Sequence, residues 1–387
     1  MSEHLWRQYD KDIGWKIVPT TNGLANNGCM VIKNIKVNNL GFRDNEWSNN
    51  RTYKVAVLGD SFMEGQHLPE GTLVPQVLER ILEVPVLNAG LEGAGTVQEY
   101  LVFKKYVAPY KPDLVLLFMY PYNDIQDNSK VLANTIIVWP QAVIDFSGHI
   151  TVDYPDVPPS TDSKIWAVTK QHVKTLLMLR RGYQYWKNLD NWKPNIYLGG
   201  VYFPEDDKWQ DAWKITEFYL VELKKEVEST GGKLLIVVIP EYIQISHQWE
   251  QELKKRYQLT ELPPGFSRDR HLRRLDIIAK ANDLPLIPLD QMFREYRDKF
   301  QLATPYFYYR CDGHLNPLGH FLAANLVAQH LLDHDETVFD VSTKKVIRSV
   351  IERNINLNPK EILSEEGYHQ IYISGRFYGK TNIPNLN

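Results

Sequence analysis

Cysteine is scarce, with only Cys29 and Cys311 in 387 residues. Two thiols make no disulfide scaffold in a chain this long, and free thiols are the expected state. No histidine and cysteine spacing suits zinc, so neither a metal nor an organic cofactor is expected. No uninterrupted apolar run approaches the about 20 residues needed to cross a bilayer, so no membrane span is expected. The start, Met1-Ser-Glu-His-Leu-Trp-Arg-Gln-Tyr-Asp, lacks the basic head and apolar centre of a signal peptide. A cytoplasmic location is the default expectation, with a leader already removed as the alternative. An excess of one charge is also missing, since 44 basic residues face 47 acidic ones for a formal net charge of −3. That balance gives no global attraction to nucleic acid or to an anionic membrane. The pairs Arg273-Arg274 and Lys344-Lys345 are too brief for a binding stripe and read as solvated faces.

What is present is an ordinary globular composition, 43% hydrophobic and 24% charged, in a chain long enough to bury a substantial core. Apolar runs and amphipathic stretches alternate. Strands are predicted over Lys54 to Leu58, Val86 to Asn88, Leu114 to Tyr120, Lys233 to Ile239 and Leu286 to Ile287. Helices are predicted over Leu73 to Leu82, Val97 to Val107, Trp213 to Val227 and Arg268 to Ala281. Short apolar runs joined by amphipathic segments imply a parallel sheet covered by helices on both faces, a three-layer α/β architecture.

Two motifs carry chemistry. The run Val55-Ala-Val-Leu-Gly-Asp-Ser61 is a buried-strand pattern ending at a glycine that permits a sharp turn, which presents Ser61 at a strand-to-helix junction. Far downstream, Asp312-Gly-His314 offers a carboxylate and an imidazole. A serine hydroxyl is a poor nucleophile until a base takes its proton, and the base needs a third group to fix its tautomer. Ser61, His314 and Asp312 fit those roles. His320 competes for the role of base. However, Asn316-Pro317 reads as a helix cap followed by proline in the first turn. That puts His320 inside a helix, in a supporting or packing role, and leaves His314 on a loop, where catalytic groups concentrate. Asp60 is read as structural, bonding to nearby backbone amides in the turn.

These blocks resemble the SGNH or GDSL hydrolases, whose name lists four catalytic letters from four blocks. Gly59-Asp60-Ser61 corresponds to the first, with Phe62 where the family name has leucine. Asn88-Ala-Gly-Leu-Glu-Gly93 is similar to the second, and Tyr122-Asn123-Asp124 to the third. The resemblance implies a flavodoxin-like fold and an oxyanion hole formed by Ser61, Gly93 and Asn123, with Gly90 and Gly95 as competitors for the glycine. Asp312-Gly313-His314 is the fourth block. It has one residue between aspartate and histidine where the commonest pattern has two, a spacing that resembles the branches containing polysaccharide O-acetyltransferases.

On this reading the chain divides into an N-terminal wrapping segment (1–50), a hydrolase domain (51–334) and a C-terminal extension (335–387). The domain carries an insertion at about 129–210, too long for a bare loop. The insertion is predicted to run from β-like Thr135 to Val138 and Val143 to Phe146, through Pro-rich Tyr154 to Ser160, to a helix near Ile165 to Arg180. Its Trp139, Tyr154, Trp166, Tyr183, Tyr185, Trp186 and Trp192 either pack the insertion onto the core or grip a substrate. The tail clusters Tyr368, Tyr372, Phe377 and Tyr378. The expected activity is hydrolysis of a small-molecule or carbohydrate acyl ester through an acyl-enzyme. O-acyl transfer and non-catalytic glycan or lipid binding stand as alternatives.

Overall fold

The computed structural model describes residues 7–20, 22–26, 31–133, 139–155, 200–257, 259–262, 264–302, 306–309, 313–334 and 341–362. Eleven strands fall among them. Two antiparallel hairpins precede the core, β1 (Arg7–Asp10) with β2 (Gly14–Ile17) and β3 (Asn22–Asn26) with β4 (Val31–Lys36). The central sheet comprises β5 (Val55–Gly59), β6 (Val86–Asn88), β7 (Leu114–Met119), β10 (Lys233–Val238) and β11 (Leu286–Pro288), all parallel. A third hairpin, β8 (Gln141–Ile144) with β9 (Ile150–Asp153), lies between β7 and β10 in the chain.

The spatial order is β11-β10-β7-β5-β6. Counting the five sheet strands along the chain, this is 2-1-3-4-5, the flavodoxin-like order, so the sheet reverses direction of growth between β5 and β7. In such open sheets ligands bind beyond the carboxyl ends of the strands flanking that point, where the two connections diverge and leave a crevice.

Side-chain alternation builds the two outer layers. Val55, Val57, Leu116, Phe118, Leu235 and Val237 point into one buried cluster. Ala56, Leu58, Val115, Leu117, Leu234 and Ile236 point into another. A strand with apolar residues on both pleat faces is stable only between two layers, which is why these runs read as continuous rather than alternating. The helices that matter for the site are α1 (Ser61–Glu64), α2 (Val74–Leu82), α3 (Thr96–Val102), α4 (Pro121–Asp127), α5 (Asp207–Ser229), α6 (Arg270–Ala281), α7 (Leu289–Lys299), α8 (Pro317–His334) and α9 (Val341–Asn354). Helices α2, α7 and α8 cover the first face, and α3, α5 and α6 the second.

Several expectations shift. The helix predicted to Val107 is α-helical only to Val102, and Phe103–Val107 continues as a wider turn. The strand predicted at Val143 to Phe146 is Gln141–Ile144, and Phe146 stands fully exposed in the turn that follows. In the C-terminal extension, α9 lays Ile347 and Ile351 into the first core cluster. The expected strand Thr135 to Val138 and helix Ile165 to Arg180 fall outside the described residues. So do the aromatics Trp166, Tyr183, Tyr185, Trp186, Trp192, Tyr368, Tyr372, Phe377 and Tyr378, and both cysteines. Among the described residues no helix is long and apolar enough to cross a membrane.

Candidate active site

Ser61 opens α1 directly after β5, and its Oγ lies 2.8 Å from Nε2 of His314. The two residues are 253 positions apart, so only the tertiary fold brings them together. His314 sits on a loop whose shape is fixed by backbone bonds. Tyr309 N–H donates to the His314 carbonyl (2.8 Å), Gly313 N–H to that of Tyr309 (3.1 Å), and Asn316 N–H to that of Phe307 (2.8 Å). Asn316 then accepts from Gly319 N–H at 3.0 Å and caps α8. Asp312 lies outside the described residues.

Two rings hold the His314 imidazole from its sides. Phe62, the residue that departs from the leucine of the family name, packs its ring 4.9 Å from His314 and 4.6 Å from Tyr120. On another side His67, almost fully buried, lies 4.3 Å away with its plane tilted 33°. Burial pushes the His67 pKa well down, with His314, His320 and Arg43 adding to the effect, so His67 is neutral. His320 is fully buried in α8, its Nδ1 accepting from the Val74 N–H at 3.2 Å. It thereby satisfies one of the amide donors at the start of α2, and burial lowers its pKa to about 3. The structure gives His320 this helix-capping contact and gives His314 the contact with Ser61.

Asp60 is fully buried and has two partners. Its Oδ1 accepts from the Phe62 N–H at 2.9 Å, capping α1, and its Oδ2 accepts from Nδ2 of Asn123 at 3.1 Å. Burial raises its pKa, while these two donors and the nearby His314 act in the opposite direction. The turn-stabilising role read from sequence is present, and the bond to Asn123 adds one that the sequence does not show. Asn123 itself comes from the first turn of α4, at the carboxyl end of β7.

The three candidate glycines differ in what their amides do. Gly90 N–H donates to Oδ1 of Asn88 at 3.1 Å, and Gly95 N–H donates to Oε1 of Gln98 at 2.8 Å. Among the described residues Gly93 N–H and Ser61 N–H donate to no group of the chain. Gly93 adopts a φ of 78°, a conformation that side chains disfavour. The indole of Trp139, at the edge of the insertion, lies beside it, 3.4 Å from where a β-carbon would sit. Trp139 is buried. Gly90 has a separate reason to be glycine, since a β-carbon there would come within 2.4 Å of the Glu64 N and Met63 C atoms. Only without one can the loop after β6 lie against α1.

Behind Asn123 lie two further acids that sequence reasoning missed, Glu99 of α3 and Asp124 of α4, both essentially without solvent exposure. Burial raises both well above the usual carboxylate range, with Asp60 adding to the effect on Glu99, and Glu99 and Asp60 adding to it on Asp124. Asp124 Oδ2 accepts from the Tyr120 N–H at 2.7 Å, fixing the turn that delivers Asn123. Nothing local in the sequence marks Glu99 or His67, because their burial depends on partners from distant segments.

No family model matches the chain, and no curated protein matches it. Among solved structures it is similar to an acetyl xylan esterase, with 14% identity, TM-score 0.39, and coverage of 72% of this chain and 99% of that one. It is also similar to the lipase/acylhydrolase from Enterococcus faecalis, with 15% identity, TM-score 0.36, and coverage of 72% and 95%. A GDSL-like lipase from Bacteroides thetaiotaomicron is a third, with 12% identity, TM-score 0.34, and coverage of 72% and 87%. Likeness this distant bears no weight for activity. The strand order and the geometry of the site stand independently of it.

Proposed function

We propose that the chain is a serine ester hydrolase of the SGNH/GDSL type, acting on a small-molecule or carbohydrate acyl ester. The observation that supports this most is the 2.8 Å contact between Ser61 Oγ and His314 Nε2 at the reversal point of the sheet. A hydroxyl in that position can pass its proton to the imidazole as it attacks an acyl carbonyl. The carbonyl carbon becomes tetrahedral, and its oxygen takes up the negative charge. Ser61 N–H, Gly93 N–H and an N–H of the Asn123 side chain are the donors for that oxyanion, two of them uncommitted within the described chain. Collapse expels the alcohol, which takes the proton from His314 and leaves an acyl group on Ser61. Water, deprotonated by His314, then releases the acid. Asp312, two residues before the base, is the carboxylate we assign to hold the imidazole tautomer and to stabilise the imidazolium that forms.

His67 and Phe62 suit this cycle because neither carries charge. They confine the ring without competing for its proton. The same acyl-enzyme could pass its acyl group to an alcohol, and the one-residue gap between Asp312 and His314 is the feature that favours such a transferase.

The test is release of p-nitrophenol from acetate, butyrate and octanoate esters by wild type and Ser61→Ala. Turnover that is lost in the variant supports the serine mechanism. The chain-length profile then bounds the acyl pocket. Equal rates from the two proteins would reject it.

A further inference from the structure

The two backbone donors assigned to the oxyanion sit on different pieces of chain. Ser61 N–H belongs to the start of α1, and Gly93 N–H belongs to the loop after β6. A donor helps only when it lies close to where the charge develops, so something must hold these pieces at a fixed separation. The contacts that do so converge on Glu64 and Glu92. Glu64 ends the single turn that Ser61 begins, and Glu92 immediately precedes Gly93.

Glu64 is buried, and its Oε2 accepts from the Glu92 N–H at 2.8 Å. Gln66 Nε2 lies 2.6 Å from both Glu64 Oε1 and Glu92 Oε2, which brings two carboxylates onto one neutral amide. Two anions that close repel each other in a partly buried setting unless a cation joins them. Arg7 supplies it. Its Nη2 contacts Glu64 Oε1 at 2.7 Å and also contacts Glu92 Oε2. Among the described residues no other lysine or arginine is paired with either carboxylate. The two carboxylates outweigh the effect of burial and keep the Arg7 guanidinium firmly charged.

Arg7 begins β1, in a hairpin outside the central sheet. We propose that Arg7 is a positioning residue for the active site: by joining Glu64 to Glu92 it sets the spacing between the Ser61 and Gly93 amides. The N-terminal hairpin is then part of the catalytic apparatus and not merely a cover for the core. The functional half of this proposal rests on the serine hydrolase reading above, while the clamp itself does not.

The experiment compares wild type, Arg7→Met, Arg7→Lys and Lys105→Met. Lys105 anchors the same hairpin at its other end, through Asp10 at 2.6 Å and Asp12 at 2.8 Å, and among the described residues it has no ion pair with Ser61, Gly93, Asn123, His314 or the Glu64 and Glu92 pair. It therefore reports what general loosening of the hairpin does. Displacing a catalytic donor by about 1 Å costs roughly 100-fold in rate. Arg7→Met is accordingly expected to lose about 10- to 100-fold in kcat on p-nitrophenyl acetate, with KM within about twofold of wild type. Arg7→Lys, which keeps the charge, recovers part of that loss, and so does added guanidinium at millimolar concentration in Arg7→Met. Lys105→Met keeps wild-type kcat.

Backbone hydrogen exchange over residues 88–95 is measured on the same proteins and is expected to quicken in Arg7→Met alone. Wild-type kcat in a folded Arg7→Met, or equal losses in Arg7→Met and Lys105→Met, overturns the proposal. If wild type neither turns over ester nor reacts with a fluorophosphonate, the hydrolase reading fails and with it the catalytic role. Hydrogen exchange then still decides the clamp, because unchanged exchange at 88–95 in Arg7→Met contradicts it.

Discussion

Asn123 donates from its side-chain amide to the buried carboxylate of Asp60 at 3.1 Å, tying the end of β7 to the end of β5 across the point where the sheet reverses. Asp60 caps the helix of Ser61 with its other oxygen. One carboxylate thus fixes both the turn that carries Ser61 and the amide we assign to the oxyanion. Replacing Asp60 with alanine removes a helix cap worth about 1 kcal/mol and frees the Asn123 side chain to rotate. Asp60→Ala should lose roughly 10- to 100-fold in kcat, more than its modest fall in melting temperature accounts for. Steady-state kinetics on p-nitrophenyl butyrate, run beside a thermal melt, measures both. A wild-type kcat in that variant would show that the Asp60 to Asn123 bond has no catalytic consequence.

Asn123→Ala tests the oxyanion donor itself. Removing one such donor typically costs about 3 to 4 kcal/mol of transition-state stabilisation, or roughly 100- to 1000-fold in kcat. The variant also leaves the buried Oδ2 of Asp60 without its Asn123 partner, a cost of about 1 to 3 kcal/mol, so the melting temperature should fall by several degrees while the protein stays folded. Near-normal turnover would remove Asn123 from the mechanism.

His320 gives a stability prediction with a definite sign. Its pKa in the fold is lowered to about 3, below the about 6.5 of an unfolded histidine, by burial first and then by the nearby His314 and Arg43. Between those values the unfolded chain binds a proton that the folded chain does not. The stability contributed by neutral His320 is therefore complete above about pH 6.5 and declines as pH falls towards 3. The slope for one proton is about 1.4 kcal/mol per pH unit. His320→Asn lacks this term, so the stability difference between wild type and variant should narrow as pH falls below 6.5. Urea unfolding at half-unit pH steps from 7.5 to 4.5 measures it, and a difference that stays constant over that range contradicts the assignment.

The sheet was legible because its strands are buried on both faces. The predicted runs Lys54 to Leu58, Leu114 to Tyr120 and Lys233 to Ile239 became Val55–Gly59, Leu114–Met119 and Lys233–Val238, each displaced by a residue or less at its ends. Continuous apolar stretches bounded by polar residues leave little freedom there. Ser61 and His314 were legible because each sits in a short motif tied to a strand end or a helix start. The rest of the site was not, for one physical reason. His67 lies against a ring 247 positions away in the chain, the Glu99 pKa is raised by burial and by the nearness of Asp60, and Arg7 has its meaning only beside Glu64 and Glu92. Pairings of that kind leave no periodicity or spacing in a single sequence. Asp60 stands between the two cases, since its turn role is local and its bond to Asn123 is not.

The central claim is that Ser61 is a nucleophile activated by His314. Intact-mass analysis after fluorophosphonate treatment of wild type, Ser61→Ala and His314→Ala tests it most directly, because covalent capture needs no knowledge of the natural substrate. The account predicts a single adduct on wild type that maps to Ser61, none on Ser61→Ala, and labelling slowed by orders of magnitude in His314→Ala. An adduct that persists in folded Ser61→Ala, or folded wild type that takes none, contradicts it.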